Sequence, residues 1–288
     1  MPQYSDNKII ALNSQEGTQR NGTMLSNMLF NTGCILEEDQ SIVDAHISVI
    51  NCQIPVSYYT INALNNKFQV RPFGTGPYTT VTIPAGNYNQ YDLQAALALI
   101  LDPVIPSWSF TFNKSTGRLT WVAIANYTLN FVGFKACAAI LGFNEAAYVS
   151  LGTVVEATYP LNLLGIKRIS VKSYSLGVAS YSSAGGDICL TTIPSDQPPF
   201  CMLSYINQNA DDKQYVNVKS ISQVDILLMD ENENLLDFNN IPWTITLMLE
   251  ITRFKPDLTS TFKEIVAQRP IEDEKISQIE DDLEFLAN

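Results

Sequence analysis

Apolar and polar residues alternate with period two over long stretches of this chain. From Ser41 onward, Ile42, Asp44, His46, Ser48 and Ile50 interleave with Val43, Ala45, Ile47 and Val49. Both sets hold apolar residues, which predicts a strand with one face buried and the other partly covered. Pro55 ends the run, because proline supplies no ladder donor. Residues 1–30 are polar with isolated apolar positions at Ile9, Ile10 and Leu12, then Met24, Leu25, Met28, Leu29 and Phe30. They read as an extended arm followed by a strand. Beyond Pro160, strands are expected at 166–174, 187–192, 200–205, 215–219, 222–228 and 243–254. Turn-forming stretches at 182–186, 195–199, 207–213 and 230–234 separate them. Many short strands with such separators predict an antiparallel sandwich.

Between these runs lies a stretch of different pattern. Short strands at 68–71 and 78–83 flank a turn, Phe73-Gly74-Thr75-Gly76-Pro77. Leu93, Leu97, Ile100 and Leu101 have helical spacing, with Asn89 or Asp92 as the N-cap and Pro103 as the stop. Trp108, Phe110 and Phe112 alternate along a strand, residues 113–117 form a hairpin turn, and Leu119 and Trp121 continue on the return. A further strand carries Tyr127, Leu129 and Phe131. A second short helix over 134–141 closes on Gly142, a C-cap residue. The expected organisation is a discontinuous sandwich over 1–65 and 156–255, an inserted α+β domain over 66–155, and a tail over 256–288. In the tail Ile271, Ile276, Ile279, Leu283 and Leu286 fall near helical spacing among acids, a pattern suited to folding on a partner.

Composition changes this picture in three ways. Hydrophobic residues make up 46% of the 288 residues, enough for a packed core and too many for wholesale disorder. Only 16% of residues are charged, against about 25% in an average soluble protein. Polarity comes instead from neutral groups, with 24 Asn against 17 Lys plus Arg. The formal net charge is −12, and residues 272–284 hold half of it, seven acids against Lys275 alone. Such a balance lacks the basic footprint of a nucleic-acid binder, and direct nucleic-acid contact is not expected.

Candidate chemistry is sparse. The single histidine, His46, lies two residues from Asp44 and from Ser48 on one strand face. Neighbours at that spacing stand side by side, about 6.5–7 Å apart, rather than in relay geometry. Asp230-Glu231-Asn232-Glu233-Asn234 opens like a calcium loop, but Leu235 stands where the loop needs glycine and Ile241 where it needs a bidentate glutamate. The default there is a hairpin turn, as it is for Asp211-Asp212. The Gly74 turn has no phosphate-loop context. Trp108, Phe110, Trp121, Tyr127 and Phe131 fit a core better than a stacking platform. Five cysteines, Cys34, Cys52, Cys137, Cys189 and Cys201, show no metal-ligand spacing and read as buried thiols in a reducing compartment. No catalytic, cofactor-binding or metal-ligating residue is expected, and no enzyme activity. The longest strongly apolar run, Ala95 to Leu101, is too short to span a bilayer, and MPQYSDNKII does not resemble a signal peptide. Asn21, Asn113 and Asn126 head glycosylation sequons that are expected to stay unmodified in a cytosol-like compartment.

The order of several short motifs resembles the single jelly-roll penton (vertex) capsid proteins of virophages, polinton-like viruses and related large eukaryotic DNA viruses. The first is Val49-Ile50-Asn51-Cys52-Gln53-Ile54-Pro55-Val56-Ser57-Tyr58-Tyr59 with Ile61-Asn62. Val81-Thr82-Ile83-Pro84-Ala85-Gly86-Asn87-Tyr88 and Ala139-Ile140-Leu141-Gly142-Phe143 follow. Pro160-Leu161-Asn162-Leu163-Leu164-Gly165, Ile169-Ser170-Val171-Lys172-Ser173 and Asn239-Asn240-Ile241-Pro242-Trp243-Thr244-Ile245-Thr246-Leu247 complete the set. The resemblance implies a mainly β fold, a jelly-roll sandwich standing upright in a shell with the inserted domain projecting outward. It implies a homopentamer at the icosahedral vertices of a virion, synthesised in host cytoplasm. Its partners would be the major capsid protein and minor capsid proteins, reached through the N-terminal arm and the tail at 256–288. Alternatives are a minor capsid or cement protein beneath the major capsid lattice, and a carbohydrate-binding jelly-roll attachment protein.

Overall fold

The computed structural model describes residues 3–20, 24–36, 41–72, 76–150, 152–176, 180–182, 185–209, 212–216 and 220–254. The expected amphipathic tail at 256–288 therefore lies outside the described residues, as do Gly74, Thr75, Asp211 and Asn21.

The chain begins with β1 (Gln3–Asn13), β2 (Thr18–Gln19), β3 (Asn27–Leu36) and β4 (Ile42–Pro55). It continues through β5 (Lys67–Pro72), β6 (Thr79–Thr82), α1 (Gln90–Leu101), β7 (Ser109–Asn113), β8 (Arg118–Val122) and β9 (Tyr127–Asn130). Next come α2 (Lys135–Leu141), β10 (Ala147–Val149) and β11 (Val154–Glu156). The remainder is strand: β12 (Arg168–Lys172), β13 (Ser180–Ser182), β14 (Gly185–Asp187), β15 (Cys189–Pro194), β16 (Met202–Ile206), β17 (Gln214–Tyr215), β18 (Ile221–Met229) and β19 (Thr244–Phe254).

Two sheets of these strands enclose the first core. One runs β1-β19-β4-β16, with β17 also on β4, and the other runs β15-β12-β18-β3-β2. Let β1, β3, β4, β12, β15, β16, β18 and β19 be numbered one to eight in chain order. The first sheet then reads one-eight-three-six and the second five-four-seven-two, all antiparallel. Two interleaved Greek keys of this kind are the eight-stranded jelly roll. The mainly β, antiparallel jelly-roll architecture is thus present in the strand pairing itself.

Alternation along the strands explains why the two sheets close on each other. Ile245, Leu247, Leu249 and Ile251 of β19 and Ile47 of β4 point into the same core as Ile169, Val171, Ile226 and Leu228, all fully buried. Trp243 meets Phe30 edge-on, with ring centroids 6.0 Å apart, and its indole N–H donates to the Leu25 carbonyl at 2.7 Å. Full burial of one such side chain stabilises by about 1.5–3 kcal/mol.

β1 differs from the extended arm that the polar N-terminus suggested. It pairs with β19 over all eleven of its residues, from Gln3 opposite Phe254 to Asn13 opposite Thr244. Ile10 and Leu12 explain this, because both insert into the first core and fix the register.

A second core forms within residues 61–163. A four-stranded sheet, β10-β9-β5-β6, and a three-stranded one, β11-β8-β7, pack with the two helices. The cap expectations match the structure here. Asn89 accepts hydrogen bonds from the backbone N–H groups of Tyr91 and Asp92 at the start of α1. Gly142 ends α2 at φ 80°, the left-handed conformation glycine adopts freely. This core draws on Ile61 and Ala157, a few residues beyond each end of the 66–155 stretch.

Candidate functional site

The strand order leaves one flank of the sandwich open at the sixth strand. Among the described residues, β16 is paired on one side only, to β4, and β15 only to β12. Between their free edges runs a groove of about 310 Å3, lined by Ile193, Pro194, Leu203, Tyr205 and Ile206 with Asp196 and Gln208 at its polar margin. On the solvent face of the same strand, Met202 and Ile206 stand 48% and 68% exposed, and Phe200 just before it is 80% exposed. Met202, Ser204 and Ile206 share a phase and line one face of the strand, and Phe200 stands in the turn just before it.

Phe200 is held in place by the backbone on both sides. Its N–H donates to the Val56 carbonyl at 2.8 Å, while Val56 N–H donates to the Cys201 carbonyl at 2.9 Å. Phe200 lies at φ 69°, a left-handed conformation that is uncommon for a bulky residue and costs about 1–2 kcal/mol. The ring itself is left in solvent, on a backbone held in this conformation. An edge strand without charged or bulged protection offers its free N–H and C=O groups in the same place. Sequence reasoning placed a strand at 200–205 but missed this surface, because which strands form edges depends on long-range pairing.

Asp44 and His46 do meet, with Oδ2 and Nδ1 3.4 Å apart, on the outer face of the first sheet. Tyr215 stands edge-on to the imidazole at 5.9 Å, and Glu250 is the cross-strand partner of His46, itself ion-paired with Lys213. Ser48 is buried, and no hydrogen bond joins it to His46 among the described residues. The Asp230 loop is a turn closed on itself. Asp230 Oδ1 accepts the N–H groups of Asn232 and Asn234, each at 2.8 Å, and Oδ2 accepts Asn234 Nδ2 at 2.9 Å. Glu231 accepts the Lys167 N–H and Glu233 pairs with the Lys172 ammonium at 3.1 Å, so neither carboxylate converges with Asp230 on a cation position. Among the described residues no group of three or more His, Cys, Asp or Glu is placed to hold a metal ion.

The aromatics weighed as a stacking platform are interior, with Phe110 half-buried against Trp108 and Trp121. Trp121, Tyr127, Phe68 and Phe131 are fully buried, Trp108 lies 4.6 Å from Tyr127 by ring centroid, and Tyr127 Oη donates to the Trp121 carbonyl at 2.7 Å. Their faces are used against one another and offer no platform for a sugar or base. Burial pushes the Cys52 and Cys137 thiols up to about 12, which leaves them inert, whereas Cys189 is half-buried and Cys201 exposed, contrary to the expectation of buried thiols. Among the described residues no helix is long and apolar enough to cross a membrane.

Most of the quoted motifs gather at the passage between the two cores rather than at a surface cleft. Ile61 and Gly86 pair in both directions, at 3.1 and 2.9 Å. Tyr159 N–H donates to Gly142 O and Asn162 N–H to Ile140 O, both at 2.8 Å. Ser57 Oγ donates to Phe238 O at 2.7 Å, and Asn239 Nδ2 to Ser57 O at 2.6 Å.

No protein-family model matches the chain, and no curated protein matches it. Among solved structures it is similar to the crystal structure of the SeMet-labelled mavirus penton protein. That similarity has 14% sequence identity and a TM-score of 0.45, and covers 87% of this chain and 100% of that chain.

Proposed function

We propose that this chain is a structural protein of a viral shell, a penton subunit whose copies close a ring of five at the icosahedral vertices. The observation that carries the reading is the flank at β16, where Phe200, Met202 and Ile206 stand exposed beside a strand edge that is unpaired among the described residues. Exposed apolar side chains beside a free strand edge favour association with another protein surface. A jelly roll by itself serves many functions, so the fold alone does not decide. The resemblance of the junction motifs to vertex capsid proteins supplies the kind of assembly.

A ring of identical subunits needs two different patches on each copy, one on each side. The β16 flank is one, and the opposite edge of the same sheet, β1, supplies the other. In this reading residues 1–65 with 156–255 form the shell domain and 66–155 an outward inserted domain. The tail at 256–288 contacts the major capsid protein or a minor one. The chain acts without catalysis, cofactor or metal, is made in host cytoplasm and ends in the virion. Immuno-labelling or density at the five-fold axes of particles tests this. Location beneath the faces of the shell would instead make it a cement protein, and absence from particles would overturn the capsid reading.

A further inference from the structure

Two short crossings join the cores, and both are gripped from each side. On the way out, Tyr58 is buried in the first core, edge-on to Phe238 at 6.2 Å with its hydroxyl 2.5 Å from Ser195 Oγ. Three residues later, Ile61 is fully buried in the second core. Between them, Asn87 of the insert reaches across. Its Oδ1 accepts both the Thr60 N–H at 2.8 Å and the Thr60 hydroxyl at 3.1 Å, and its Nδ2 donates to Tyr58 O at 3.4 Å. On the way back, Leu161 and Leu163 pack on the second core and Ile166 on the first. Gly165 lies between, at φ 69°, where a side-chain methyl would stand 3.2 Å from Thr60 Oγ1. The outward and returning crossings therefore run side by side at Thr60 and Gly165.

We infer that this passage is a rigid coupling, with Asn87 as its clasp, so that the sandwich and the insert unfold and move as one body. Domains joined by flexible linkers move relative to one another by default. A hinge needs residues free to change φ and ψ, whereas here the outward crossing leaves two residues between the buried Tyr58 and Ile61, the returning one leaves two between the half-buried Leu163 and Ile166, and Thr60 has its N–H and hydroxyl bound. The consequence is mechanical. A force or ligand acting on the insert reaches the sandwich through Tyr58 and Ile61 rather than being absorbed between them. The inference does not rest on the capsid reading, since it concerns one chain.

The three tryptophans report on the two cores separately. Trp243 lies in the first, Trp108 and Trp121 in the second. The test is 19F NMR of the full chain labelled with 5-fluorotryptophan and titrated with urea. All three native resonances are expected to vanish at one common midpoint, the signature of a single cooperative unit. Asn87→Ala should separate Trp243 from the other two by about 1 M urea, and Asn87→Asp, which keeps the acceptor for Thr60, should hold them together. If Asn87→Ala gives no folded protein, Thr60→Val, which removes only the hydroxyl bond, should give a smaller separation. Distinct midpoints in the unaltered chain would overturn the coupling. Coincident midpoints in Asn87→Ala, or in Thr60→Val where that variant takes its place, would overturn the clasp.

Discussion

The Arg20 guanidinium reaches the Asp225 carboxylate at 3.0 Å across 205 positions of sequence, and the carboxylate is fully buried. Asp225 also accepts the Ser173 hydroxyl and the Ser175 N–H, each at 2.8 Å, while its own N–H donates to Ser175 Oγ at 2.9 Å. This set ties the β2–β3 corner to the middle of β18 and to the exit of β12. Removing the carboxylate strands several donors, so Asp225→Ala should cost about 3–5 kcal/mol. Arg20→Ala should cost less, about 1–2 kcal/mol, because the guanidinium is half exposed and water screens the pair. Urea midpoints of the two variants check the order.

Two left-handed glycines provide a matched comparison in the insert. Gly142 sits at φ 80°, and a Cβ there would overlap the Tyr159 carbonyl oxygen. Gly133 sits at φ 79° with nothing within 4 Å of such an atom. Gly133→Ala should therefore cost only the backbone term, about 1–2 kcal/mol. Gly142→Ala should cost clearly more, because the segment leaving β11 at Tyr159 must shift as well. Thermal denaturation of the pair measures the difference.

Alkaline stability should follow the buried thiols. Cys52 and Cys137 ionise near 9.0 when exposed, and burial raises both to about 12. Between those values the unfolded chain loses protons that the folded one keeps. Stability is therefore intact below pH 9 and falls as pH rises, by about 1.4 kcal/mol per unit for each thiol. Burial raises the Tyr127 phenol too, in the same direction. Urea titrations at pH 8 and pH 10.5 should show the drop, and Cys52→Ala should make it shallower. Unchanged midpoints between the two pH values would show that the thiols ionise freely.

The β16 flank separates assembly from folding. Phe200→Ala removes a ring that is 80% exposed, and Met202→Ser with Ile206→Ser removes the exposed apolar side chains of β16. Each should change the stability of the isolated chain by less than about 1 kcal/mol. The same substitutions should abolish or sharply weaken self-association, read by sedimentation velocity. Intact assembly in the triple variant would place the contact elsewhere.

Local rules carried much of the architecture. The buried-face alternation of β4, the Asn89 cap and the Gly142 stop depend on residues within four positions of one another, so the sequence alone displays them. The sandwich followed from strand and turn spacing, and the jelly-roll order from the motif resemblance. What stayed hidden was non-local. Nothing near Asp225 announces that Arg20 lies beside it, and nothing near Phe200 announces that β16 ends a sheet. Polarity misled at β1, where Ile10 and Leu12 suffice to bind the strand although its first residues remain exposed on both faces. The Asp44–His46 contact was likewise unexpected, since the side chains lean together across a spacing that separates their backbones.

Native mass spectrometry of the purified full chain tests the central claim most directly. The account predicts a discrete species of five times the 32.0 kDa subunit mass, with five-membered rings in negative-stain images of the same sample. A clean monomer across the concentration range, with no ring in the images, would contradict it.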